Sequence, residues 1–388
     1  MTTLLAPPAR FAALVTAVSV SAFGNFLNLV ALSLFTYAVT GSAWGLGLVM
    51  AARLTAGFAG GLVAPSLVRL LGLRRLMVSS DLAQALVMCA LAALGSSAGL
   101  PGLVVTALVL GAGNSVSNVC VRASVPDLVP EGENARSNGR LVTWRALAVI
   151  AGYASASTII AFGGFGLAFT VNAASFAFSA FVVSRLRWNE SLPPVRRASG
   201  PSVSLLRAVG PAITVLVAVR AADAFGSASH NLSLPVHASA VAGADAAVFM
   251  SGFWASWAVG AFTARFVAPR FAHSTTAFVV GTCVMSASFV LAFTGPPWPV
   301  LILVMVCAGF SDGLTEIVYT SRLQEVHGDL RVRLFGLSST AETAGFASGT
   351  LVASALLPTL PVLGVVAGFH TVAVVCALAL ALVSRRLT

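Results

Sequence analysis

The sequence predicts an all-α integral membrane protein of twelve transmembrane helices with both termini on the cytoplasmic side. Three observations predict it. Hydrophobic residues make up 58% of the 388 and charged residues 9%, against roughly 45–50% and 25% in an ordinary soluble domain. The apolar stretches hold Gly and Pro and run to about 20 residues or more, which suits spanning helices rather than the alternating strands of a barrel. The arginines, finally, collect at one end of every span.

Taken in order, spans are expected at roughly 11–39, 44–70, 76–97, 102–122, 137–162, 165–186, 208–237, 245–267, 275–295, 299–320, 334–357 and 361–384, each bounded by breakers. Thr40 to Ala43, Ser96 to Pro101, Gly163-Gly164, Gly295 to Pro297 and Pro358 to Pro361 form short outer turns without a basic residue. The opposite ends hold 19 of the 22 basic residues, all arginine, among them Arg10, Arg69, Arg122, Arg140, Arg185, Arg265, Arg322 and Arg385. The positive-inside rule is therefore met at each crossing, and a wrong span count would scramble that pattern. The net charge of +10 is topological, and nucleic acid is excluded as a partner. An all-arginine basic complement points to a GC-rich bacterial genome.

The chain also reads as a duplication. Ala22-Phe23-Gly24 recurs as Ala224-Phe225-Gly226, Gly41 matches Gly243, and Arg122 before one loop matches Arg322 before another. A common offset near 200 is what a repeated six-helix unit gives. Two pseudo-symmetric bundles are expected over 1–187 and 205–388, joined by a polar, Arg-rich cytoplasmic linker over 188–204.

Other classes fall away. Cys89, Cys120, Cys283, Cys307 and Cys376 all lie in apolar segments without ligand spacing, so neither a disulfide framework nor a metal site is expected. There is no Walker-type loop and no nucleophile motif, so an enzyme is not expected and no cofactor is implied. Met1 to Arg10 lacks a cleavage site after a short apolar core, and the first span is expected to be retained.

With these features the residues resemble the major facilitator superfamily, and within it the enterobactin-exporter-like branch of bacterial efflux transporters. The resemblance covers the whole chain. It rests most on Pro126-Asp127-Leu128-Val129-Pro130 with Asn134-Ala135-Arg136-Ser137-Asn138, on Leu323-Gln324 with Asp329 to Leu337, and on Ser80-Asp81-Leu82. It implies the major facilitator fold, a multi-pass place in a bacterial inner membrane, a small-molecule substrate, protons as the coupling ion and a monomer. Two departures stand out. Arg69 occupies the place of an acid in the loop carrying Gly72, Arg74 and Arg75, which the resemblance makes the cytoplasmic gate. The fifth-span antiporter signature survives only as Gly152-Tyr153-Ala154-Ser155, without its proline.

The resemblance further implies that spans one, four, seven and ten line the cavity, and these are the polar ones. Asp312 and Glu316, four apart, share a face of the tenth span. An ionised acid at bilayer depth costs about 3 kcal/mol on insertion scales, and protonating one at pH 7 costs about 3.7 kcal/mol, so such groups are poised to exchange protons. Asp312, Glu316, Glu342 and Asp223 are the proton-coupling candidates. Asn25, Asn28, Asn114, Asn118, His230, Asn231, Trp254 and Tyr319 are the substrate candidates, although Asn and Ser in membrane helices also simply bond across to neighbours. Trp254 and Trp257 could stack a flat ligand or serve packing. His230, with an ordinary pKa near 6.5, is either proton-sensitive or a satisfied core group.

Arg53, Arg145 and Arg220 are intramembrane guanidiniums that need partners. Arg220 and Asp223 form a candidate ion pair, while Arg53 or Arg145 is expected to hold Glu342 or one of the tenth-span acids. Ion coupling is thereby expected in the second half, and neutral polar ligand contacts in the first. The function expected is proton-driven export of a drug, siderophore or secondary metabolite. The alternatives are nutrient uptake by the same fold and a non-transporting membrane sensor that kept it.

Overall fold

The computed structural model describes residues 7–128, 134–186, 202–271, 274–326 and 328–387. Most of the expected linker, with Arg187, Arg196 and Arg197, lies outside the described residues, as does 129–133 of the loop after the fourth span.

Among the described residues the chain is built from helices: α1 Pro7–Thr40, α2 Ala43–Leu71, α3 Leu73–Leu94, α4 Gly99–Leu128, α5 Asn134–Arg185, α6 Ser202–Ala242, α7 Ala246–Ala264, α8 Thr275–Ala292, α9 Trp298–Gln324, α10 Gly328–Leu356 and α11 Val362–Leu387. The breakers act where the sequence places them. Gly41 takes φ 60°, a left-handed conformation that favours glycine, and Ser42 then caps α2 by accepting from the Trp44 amide at 3.1 Å. Gly163 and Gly164 leave helical geometry inside α5, at the expected boundary between the fifth and sixth spans. Ser202 to Ser204, expected in the linker, are helical and open α6, which leaves helical geometry at Gly210 (φ 81°).

Among the described residues eight stretches are long and apolar enough to cross a membrane, three of them 46 to 52 residues long. Large apolar side chains such as Leu86 (73% exposed) and Phe162 (85%) point outward from them. That surface would be a liability in water and is ordinary against lipid.

The chain forms two compact units, Met1–Val195 with Ala244–Ser251, and Arg196–Gly243 with Gly252–Thr388. In the first, α1 packs on α5, and α2 and α3 pack on α4, over a core that includes Leu14, Met77, Cys120 and Val183. In the second, α6 packs on α10 and α11, and α8 on α9, over Val219, Phe278, Val318 and Leu334. Each core is apolar and helix-on-helix, so a polar group inside it must find its partner on an adjoining helix.

Candidate transport site

The second unit gathers the acids. Asp312 and Glu316 stand one turn apart on α9, whose Gly309 and Gly313 receive α7 closely: a Cβ at Gly309 would run into the Trp257 carbonyl, and one at Gly313 would lie 2.8 Å from the Ala261 carbonyl. Arg220 on α6 is where the carboxylates converge. Its guanidinium reaches Asp223 at 3.1 Å, Glu342 at 3.7 Å and Asp312 at 3.8 Å, and it also pairs with Glu316. Ser338 donates to Glu342 at 2.8 Å and shares a 2.6 Å hydrogen bond with the Tyr319 hydroxyl, while Thr320 donates to Glu316 at 3.3 Å. The Tyr319 ring lies 5.8 Å from the guanidinium carbon. Asp223 is buried, and its Oδ1 has no hydrogen-bond partner among the described residues. Among the described residues one cation thus faces four carboxylates, a surplus of three negative charges when all four are ionised.

This corrects the expected pairing. Among the described residues the acids converge on Arg220, in their own unit. Arg145 instead donates to the Asn118 side chain at 2.7 Å. The tyrosine that stands in place of the fifth-span proline is buried and meets Phe26 edge to face at 5.3 Å. Sequence spacing shows which residues share a helix face; it does not show which helices adjoin.

In the first unit Asn25 and Asn114 exchange amide hydrogen bonds at 3.2 and 3.4 Å, so α1 is tied to α4. They line a cavity of about 40 Å³ together with Asp81, Asn118 and Arg145, space enough for a water or two. Asp81 is 3% exposed and accepts from Ser117 at 3.4 Å. Sequence reasoning misses this acid as a site residue. The signal exists, an acid inside the third apolar span, yet Ser80-Asp81-Leu82 enters there only as a likeness. The expectation of purely neutral contacts in the first half is corrected accordingly.

Two pairs of glycine contacts show that these sites occupy equivalent places in the two units. Gly111 abuts the Arg53 carbonyl as Gly309 abuts that of Trp257. Gly152 lies against the Phe23 carbonyl and Gly349 against that of Phe225, the paired phenylalanines of the repeated Ala-Phe-Gly. Counting from these anchors, Asn114 and Asn118 stand where the second unit has Asp312 and Glu316, and Arg145 stands where it has Glu342. Ser21 and Val18 match Asp223 and Arg220. The same framework thus holds a cation in one unit where it holds an acid in the other.

Several expected substrate contacts turn out to be core. Asn28 is fully buried, and neither side-chain polar atom has a partner among the described residues; three positions on from Asn25, it is turned about 60° away from the side that meets α4. His230 is buried, stacked on Phe289 with centroids 3.6 Å apart, and 3.1 Å from Nε2 of His370 on α11. Asn231 spends its amide on the Ser227 carbonyl at 2.9 Å. Trp254 is buried and meets Phe253 and Trp257 edge to face at 5.3 and 5.6 Å, so packing is its role here. Tyr319 is buried too, yet it belongs to the acid cluster. In the expected gate, Gly72 (φ 80°) is the one residue between α2 and α3; Arg69 donates to Ser66 at 3.3 Å, Arg74 donates to the Ser184 carbonyl at the end of α5, and Arg75 is exposed.

Against known proteins, the profile described as Major Facilitator Superfamily matches residues 14–350. The chain belongs to that superfamily. Solved structures show the same fold. A bacterial homolog to the human lysosomal transporter Spinster, inward-facing and unoccupied, is 12% identical over 96% of this chain and 95% of that one, with a TM-score of 0.71. An autoinhibited POT family peptide transporter is 12% identical over 97% of both chains, at 0.74. The nucleoside transporter NupG, solved as a point mutant, is 16% identical over 95% of this chain and 99% of that one, at 0.70. No curated protein matches the chain by sequence. As a major facilitator, the protein is a multi-pass membrane transporter of a small molecule.

Proposed function

We propose that this facilitator is a proton-driven exporter of a small amphipathic compound, a drug, siderophore or secondary metabolite, in a bacterial inner membrane. It is assigned to the enterobactin-exporter-like branch and works as a monomer. Twelve spans in two six-helix bundles, 1–187 and 205–388, with cytoplasmic termini, fit the three long apolar stretches, each interrupted where glycines lie, and the arginine pattern.

The observation that carries the reading is the four carboxylates around Arg220. Two like charges 4 Å apart repel by about 4 kcal/mol at an effective dielectric of 20, so three surplus charges need counter-charge, and protons supply it. The carboxylates take up protons on the side where these are abundant and release them on the other as access alternates. A charge moved through 100 mV is worth about 2.3 kcal/mol, close to a fiftyfold bias. Asp312, Glu316, Glu342 and Asp223 exchange the protons, Arg220 holds them in place, and Asn25, Asn114 and Asn118 offer the ligand hydrogen bonds. Arg69, Gly72, Arg74 and Arg75 form the cytoplasmic gate.

The test is export driven by an imposed proton gradient in membrane vesicles, with Asp312→Asn and Glu316→Gln combined. Loss of coupling with substrate binding retained is expected; undiminished coupling sinks the assignment. Uptake by the same site differs only in the direction of flux, which the same vesicles read. The non-transporting reading is separated by the same vesicles: ligand binding without any counterflow would favour it.

A further inference from the structure

A second cavity lies in the first unit, away from the polar one. It measures about 340 Å³, within the range of about 300–1,000 Å³ typical of small-molecule sites. Its walls are ridges at i, i+4 spacing: Phe11, Val15 and Ser19 with Val20 on α1, and Arg140 and Trp144 on α5. The lining is apolar except at Arg140, Ser19 and Thr16, whose hydroxyl donates to the Ala12 carbonyl at 3.0 Å. Arg140 is exposed and makes no ion pair or hydrogen bond among the described residues. Ser19 has a buried hydroxyl with no hydrogen-bond partner among them. Trp144 is 54% exposed, so its ring is available at the groove's edge.

From this geometry we infer that the groove binds an amphipathic organic anion, with its acid on Arg140, its flat apolar body against Trp144, Phe11 and Val15, and a polar atom at Ser19. The site is distinct from the carboxylate cluster and of opposite charge. A guanidinium at the mouth of an apolar slot selects carboxylate, sulfonate or phosphate over a neutral group of the same shape. Anionic phospholipid shares this chemistry. An acyl chain, however, offers nothing to a buried hydroxyl, and the unpaired Ser19 favours a free anion bearing a second polar group. In the exporter reading, on which its purpose rests, the groove is where cargo first binds.

The experiment measures equilibrium binding to the full chain in phosphatidylcholine nanodiscs, with 1-pyrenebutyrate as probe, 1-pyrenemethanol as its neutral counterpart, and energy transfer from tryptophan as readout. The wild type is expected to bind the anion at least tenfold more tightly, about 1.4 kcal/mol. Arg140→Gln is expected to abolish that preference, while Arg185→Gln, which removes a charge at the far end of α5, leaves it intact. Trp144→Phe is expected to cut the energy transfer. Preference retained in Arg140→Gln overturns the inference. So does displacement of the probe when phosphatidylglycerol is added to the discs, which would make the occupant a lipid. Binding is read without a gradient, so failure here leaves the exporter reading standing, and failed transport with binding intact does the reverse.

Discussion

Replacing Arg220 by Gln removes the guanidinium that pairs with all four acids of the cluster among the described residues, while keeping a polar side chain. The Asp223 contact at 3.1 Å and the Glu342 contact at 3.7 Å each correspond to about 4.5–5.5 kcal/mol at an effective dielectric of 20, much of it offset by desolvation. The Glu316 contact is discounted further, because that side chain is 53% exposed. Measured losses on breaking a buried pair are about 3–5 kcal/mol, and that is the destabilisation expected for Arg220→Gln at neutral pH. The sign of a second change is fixed by the charge surplus. Glu342→Gln added to Arg220→Gln removes a repelling carboxylate and should recover about 1–3 kcal/mol, a coupling typical of residues in one network. The assay is thermal unfolding of the purified protein in detergent across the full double-mutant cycle. If Arg220→Gln melts at or above the wild type, or the double variant no higher than the single, the cluster is not held by Arg220 and the reasoning fails.

Three further outcomes follow from particular contacts. Gly309→Ala drives a methyl into the Trp257 carbonyl and should lower the melting temperature, whereas Gly368→Ala, where nothing lies within 4 Å, should be neutral or stabilising by up to about 1 kcal/mol; equal effects would contradict the α7–α9 packing. Tyr319→Phe deletes the 2.6 Å bond to Ser338 and should cost about 0.5–1.5 kcal/mol, read in the same melt, with no loss if the hydroxyl is not committed there. Arg145→Gln leaves the Asn118 carbonyl short of its 2.7 Å donor and should destabilise by about 1–3 kcal/mol; a melting curve unchanged from wild type would show that the bond carries no weight.

How much is legible beforehand differs by level. Breakers announce themselves locally: Gly41-Ser42, Gly72 and Gly163-Gly164 interrupt helices because a left-handed or irregular backbone is cheapest at glycine, and no distant residue has to agree. The acids Asp312 and Glu316 are legible for the same reason, being charges in an apolar run. Asn28, His230 and Trp254 lie buried in the structure, which the sequence does not show, since polarity inside a span says nothing about which side of the helix meets a neighbour. Asp81 and Arg140 go unassigned because their meaning lies in what surrounds them.

By itself, then, the sequence determined the class of solvent, the helical breaks, the duplication and the presence of charge where lipid or a buried cavity would meet it. Tertiary structure decided the pairing. An offset near 200 leaves the match between halves uncertain by about one turn, and one turn is the difference between a charge meeting its partner and missing it. The glycine contacts at Gly111 with Gly309 and at Gly152 with Gly349 remove that uncertainty. They set Asn118 opposite Glu316 and Arg145 opposite Glu342 in the repeat, and they leave Arg220, which has Val18 as its counterpart, as the cation that the second unit alone gathers its acids around.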